Sequence, residues 1–118
     1  MYMVWIRGEQ RNPAEPEEGY YAVKLVKKGP AVGARIAHGD GNWYATINGE
    51  HKIGSEDPEL NEFVQQVWLF GRKIDKQEYD FLLARCAGYR LNWPDHPYAH
   101  PEKPIDDLAR RLMGPQED

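Results

Sequence analysis

Cysteine is nearly missing from this chain: Cys86 stands alone among 118 residues. One thiol excludes an intramolecular disulfide and any metal site built from several cysteines. It also fits a reducing, cytoplasmic compartment, where disulfides seldom persist. Long apolar runs are missing too. The opening, MYMVWIRGEQ, starts apolar but has no extended hydrophobic run and no cleavage-like motif, so neither a signal peptide nor a membrane span is expected. Positive charge is in deficit. A net charge of -4 and a pI near 5.6 argue against non-specific nucleic-acid binding, which needs excess cations to displace counterions. There is no internal repeat and no low-complexity tract.

What is present suits one domain with its own core, spanning 1-118. Four Trp and seven Tyr supply large rings, which stabilise a small core and also favour binding surfaces. Charge is distributed in blocks. Glu9, Glu15, Glu17 and Glu18 crowd an early loop against Arg11. Lys24, Lys27, Lys28, Arg35 and Lys52 dominate the middle. Glu56, Asp57, Glu59 and Glu62 follow without a cation.

The organising stretch is Tyr20 to Ile36. Tyr21, Val23 and Leu25 alternate with Ala22, Lys24 and Val26. After Gly29-Pro30, Val32, Ala34 and Ile36 alternate with Gly33 and Arg35. Period-two alternation predicts a hairpin with one dry face and one basic, wetter face. Tyr2 to Arg7 reads as a strand on the sheet edge, and Gly8 to Gly19 as a loop. Trp43 to Gly49 gives a third strand, with Asn48-Gly49 turning into a short fourth at Glu50 to Ile53. The meander covers 20-54.

The period then changes. Asp57 as cap and Pro58 at the first helical position open a helix whose apolar face is Leu60, Phe63, Val64, Val67 and Trp68, with Gly71 ending it in the left-handed conformation. Asp75 and Glu78 form a capping box for a second helix, with Ile74 and Tyr79 as hydrophobic staple and Tyr79, Leu82, Leu83 and Cys86 as its stripe. It ends at Gly88 or at Asn92 to Pro94. A helical hairpin over 57-91 is the result. Asn92 to Pro104 carries four prolines and predicts a rigid extended crossing anchored by Trp93 and Tyr98. Ile105 to Met113 is a last short helix, with Gly114-Pro115 as its stop. The fold class is therefore α+β: an antiparallel meander of three to five strands, open or curled like a small barrel, packed against an α-hairpin and a short C-terminal helix.

Chemical constellations are thin. His96 and His100 have the spacing of helical metal ligands, but prolines at 94, 97 and 101 forbid the helix, so packing or surface roles and no metal are expected. The Gly29-Pro30 turn lacks the Gly-Lys-Ser/Thr ending and the following helix of a phosphate loop. Asp40 and Asn42 match only part of a calcium loop. Cys86 on an apolar stripe reads as a core thiol. No cofactor is expected and no catalytic residue is nominated. The candidate contact residues are Lys24, Lys28, Arg35 and Tyr44 on the basic sheet face, against the plain reading of a solvated face. A second candidate surface is acidic: Glu15, Glu17, Glu18, Glu56, Glu59 and Glu62 either mimic nucleic acid toward a basic groove or simply keep the surface soluble.

Gly19 to Val26, Gly29-Pro30 and Ala34-Arg35-Ile36 resemble the opening of a group of small phage- and prophage-encoded proteins. Ile74 to Tyr79 and the run PDHPYAHPEKPID, Pro94 to Asp106, resemble that group's C-terminal signature, with His100 where Asn is expected. The resemblance covers about Gly19 to Asp107. It implies a cytoplasmic location in a bacterial host and an accessory role: inhibition of host defence, including CRISPR systems, or modulation of a host protein. The expected function is a non-enzymatic binding protein that occludes the surface of a host protein or protein–nucleic acid complex. The rivals are a nucleic-acid-binding module using the basic face and a phage structural or assembly protein.

Overall fold

A computed structural model describes residues 3–114. Tyr2 and Pro115, placed by the sequence in the first strand and at the final stop, lie outside them. The chain is α+β. Strands β1 (Val4–Ile6) and β2 (Glu9–Arg11) pair as a separate two-stranded ribbon. Arg7 and Gly8 between them have φ of 53° and 77°, the paired left-handed geometry of a tight hairpin turn. The main sheet is antiparallel and has five strands. Its chain-order members are β3 (Gly19–Lys24), β4 (Ala31–Gly39), β5 (Asn42–Ile47), β6 (Glu50–His51) and β7 (Arg72–Ile74), in spatial order β6-β5-β4-β3-β7. The sheet is open, with β6 and β7 as edges, so the barrel-like form does not occur.

Two expectations about its edges change. The N-terminal strand does not border the sheet, because β7 takes that place beside β3, pairing Tyr20 with Ile74 and Ala22 with Arg72. The loop predicted over Gly8 to Gly19 contains β2. β2 and β7 are three residues each, too short for a strand pattern to be read from the sequence.

The turn after β3 is also wider than a tight Gly-Pro turn, since Lys24 pairs with Ala31 and residues 25–30 form a loop. Lys28 in that loop has φ 64°, and its carbonyl accepts the Ile105 N–H at 2.8 Å, docking the C-terminal segment.

Helix α1 (Glu62–Phe70) covers the predicted dry face. Val64, Val67 and Trp68 pack on Tyr21, Val23, Ala34, Ile36 and Ala45, all buried. The opposite face is not open throughout. Helix α2 (Lys76–Asn92) lies on it, with Leu82 against Ala22 and Ala31 and Tyr79 above Gly33. Ala22 is as buried as Val23, because small side chains there let the second helix approach. The two helices thus sit on opposite faces, separated by β7, instead of stacking together on one.

Local starts and stops follow the chemistry of helix ends. Asp57 caps only a 3₁₀ turn at Pro58–Leu60, and α1 starts later, capped by Asn61. Leu60 therefore leaves the apolar face and is 82% exposed. Gly71 is extended, at φ -81°, not left-handed. Asp75 caps α2 as expected, and the helix runs through Gly88 to Asn92. The proline-rich segment holds one 3₁₀ turn, Pro97–Ala99, before α3 (Asp107–Met113). Its buried anchors are Ala99 and Pro101, with Ile105 buried just after it; Trp93 stays mostly exposed and packs on Tyr89 with ring centroids 5.5 Å apart.

Candidate functional site

The four residues expected on one basic face separate into different surroundings. Arg35 lies over the Tyr20 ring at 6.0 Å, and Tyr20 in turn packs on Tyr79 at 4.8 Å. Tyr44 sits 5.2 Å from His51 and fills the space a side chain at Gly54 would need. Lys28 is exposed in its loop. Of the four, Lys24 is the one that shares a cavity with other cations. Along the paired strands Lys24 and Arg35 are four register positions apart, roughly 13 Å at strand rise.

The cluster around Lys24 arises from a mismatch of strand lengths. β3 continues to Lys24, while β7 begins opposite Ala22. The outer edge of β3 at Val23 and Lys24 therefore has no strand partner among the described residues. Three further pieces converge on this notch: the β1–β2 turn brings Arg7, the β3–β4 loop brings Leu25, Val26 and Lys27, and the end of α1 brings Phe70. Together they line an open cavity of about 330 Å³.

Arg7, Lys24 and Lys27 are its charged groups, and no carboxylate lines it. None of the three forms an ion pair with a described residue. Like charges gathered in a concavity reinforce one potential and draw anions. Phe70 gives the notch an apolar ring that is 70% exposed. Arg7 and Lys27 escaped the sequence reading. The sequence pattern places Arg7 at the end of a strand, and nothing local reveals that its turn folds back toward β3.

The acidic candidates divide in two. Glu17 is committed to the fold, receiving Lys73 Nζ at 2.8 Å, while Glu9 receives the same nitrogen at 2.6 Å. Glu18 accepts the His38 N–H at 2.8 Å. Glu15, Glu56, Glu59 and Glu62 are exposed, the last two in the first turns of the 3₁₀ segment and α1. The hydrogen bond from Lys73 holds Glu9 below the usual carboxylate range. Burial works against the Lys73 charge, but its bonds to Glu17 and Glu9 prevail and raise its pKa.

The histidines do local work. His96 Nδ1 accepts the Tyr98 N–H at 3.1 Å, capping the 3₁₀ turn, and burial followed by the nearby Arg85 charge lowers its pKa. His100 bonds the Pro94 carbonyl at 2.5 Å and lies 3.5 Å from Glu102. Among the described residues no group of three or more His, Cys, Asp or Glu side chains is placed to hold a metal. Cys86 is buried, with Asn48 Nδ2 donating toward its sulfur at 3.5 Å.

The buried polar residues Arg11, Asn12 and Asn61 also went unread. Arg11 donates to the carbonyls of Trp68 at 2.7 Å and Gly71 at 2.6 Å, closing the C-terminal end of α1. Asn12 receives the Trp68 indole N–H at 2.7 Å on its carbonyl. These are links between distant segments, and sequence patterns of short range carry no sign of them.

Compared with known proteins, the chain matches no family model, no curated protein and no solved structure. Among the described residues no helix is long and apolar enough to cross a membrane.

Proposed function

We propose that this chain is a non-enzymatic binding protein, phage-encoded, that occupies an anionic region of a bacterial host macromolecule through the notch of Arg7, Lys24 and Lys27. The observation that carries the reading is a set of cations without ion-pair partners among the described residues, gathered in one concavity of an acidic protein. Like charges gathered in a concavity raise the local potential, and an anionic partner meets it with the opposite sign. The phage origin and the cytoplasmic host target come from the resemblance of the hairpin and C-terminal motifs. Inhibition of host defence by occlusion is the role this combination suits.

The test is affinity capture from a bacterial lysate, comparing the wild-type chain with an Arg7→Glu, Lys24→Glu, Lys27→Glu variant. All three positions are at the surface or half-buried, so the variant should keep its fold, checked by circular dichroism. One host protein or protein–nucleic acid complex should be enriched by the wild type and lost at least tenfold by the variant. Equal capture by both would remove the notch from the reading. A homogeneous oligomer by light scattering, with nothing captured, would favour the assembly-protein reading instead.

A further inference from the structure

We infer that the notch receives the phosphate monoester of a nucleotide, with the base lying on the Phe70 ring. The inference rests on the binding reading above and names the group that is bound. Three features select this chemistry.

The first is charge. A protein carboxylate brings one negative charge and a phosphodiester brings one, whereas a phosphate monoester carries about -1.5 to -2 near neutral pH. Of these groups the monoester comes nearest to balancing the cations of Arg7, Lys24 and Lys27, and its oxygens suit the forked donors of a guanidinium.

The second is the ring. Phe70 ends α1 with its side chain in solvent, at the mouth of a cavity whose other walls include Ala22, Leu25 and Val26. An aromatic face beside clustered cations is how proteins hold unpaired nucleotides, the ring stacking on the base while cations take the phosphate.

The third is size and edge. A cavity of about 330 Å³ is at the small end of ligand pockets, enough for one nucleotide and too small for a helix. Beside it, Lys24 ends β3 beyond the last β7 pair, Ala22 with Arg72, so the strand end at the cavity wall lies clear of β7.

The same chemistry has two sources: a free mononucleotide and the 5′-phosphorylated end of a single strand. Calorimetric titration of the full chain separates them. The probes are adenosine 5′-monophosphate, adenosine, inorganic phosphate, a short acidic peptide, and one short single-stranded oligonucleotide carrying either a 5′-phosphate or a 5′-hydroxyl. The monophosphate should bind at least tenfold more tightly than adenosine. Phe70→Ala should weaken the monophosphate about tenfold, the size of one stacking contact, and leave inorganic phosphate within twofold. Lys24→Gln should weaken both. Preference for the 5′-phosphorylated oligonucleotide over the mononucleotide assigns the strand end; the reverse assigns the free nucleotide.

Equal binding of monophosphate and adenosine, no binding of either, or tighter binding of an acidic peptide than of monophosphate would each overturn the inference. If charge reversal still abolishes capture of the host partner in those cases, the binding reading stands without the nucleotide. If monophosphate binds while capture ignores charge reversal, the nucleotide site stands and the host-contact reading fails.

Discussion

Arg11 shows how much one residue can connect. Its side chain is 2% exposed, and its guanidinium bonds two carbonyls at the end of α1 while lying 5.0 Å over the Trp68 ring. The last turn of a helix leaves carbonyls without partners, and a cation there also meets the negative end of the dipole. Glu9 at 3.9 Å is its carboxylate neighbour, and Nε has no hydrogen-bond partner among the described residues. The group is thus buried mainly against backbone. Replacing it strands the carbonyls and opens a hole beside Trp68. Arg11→Ala should cost about 3 kcal/mol, read as a lower urea midpoint at unchanged slope.

At the level of elements, the joint between α1 and β7 is closely packed against backbone. Gly71 is needed there for space and not for backbone freedom. A β-carbon would collide with the Val67 carbonyl and come within 3.0 Å of Val23 Cγ1 and 3.1 Å of Tyr21 Cβ. Gly71→Ala should destabilise by about 1–3 kcal/mol, as overpacking does, and thermal unfolding would register it as a lowered Tm. A Tm at or above wild type would show that the joint can shift. This element also marks where sequence reading stops. Strands β3, β4 and β5 and the Asp75 cap were legible because they alternate or follow a local code over several residues. β7 is three residues, RKI, between two helical patterns, and no period can be read from three positions. The second helix's place on the other face was hidden for a related reason. Its only sequence trace is the small set Ala22, Ala31 and Gly33, which looks like a weak strand until something must fit above it. The notch was half legible: Lys24 stood out by alternation and Lys27 lies in the loop that follows it, while Arg7 and Phe70 reach it through tertiary folding.

Across the whole molecule, Lys73 fastens three separated segments. It reaches Glu9 on the ribbon and Glu17 in the loop before β3, and it lies 5.4 Å from the Trp68 ring. Glu9 is held below its ordinary value of 4.5, so its share of stability is complete above that pH and is lost as pH falls through the lower folded value. Lys73 is raised above 10.5, so its share is complete below that pH and is lost as pH rises through the higher folded value. Lys73→Met should therefore flatten the acid limb of a stability-versus-pH curve, measured by urea midpoints from about pH 3 to pH 7, below the Glu range and well above it. An acid limb as steep as wild type would show that other carboxylates govern it.

The position of β7 also sets an order of events in time. The ribosome delivers Gly19 to Ile47 early, and these residues can pair among themselves as β3, β4 and β5. The outer edge of β3 must then wait until Arg72 to Ile74 have emerged, and α2, which covers the other side of Ala22 and Gly33, comes later still. A nascent chain therefore carries an unclosed strand edge and a bare apolar face through the synthesis of α1. The sheet closes on a segment distant in sequence, the kind of long-range contact that slows folding. Shielding during translation is thus a need written into the order of the strands.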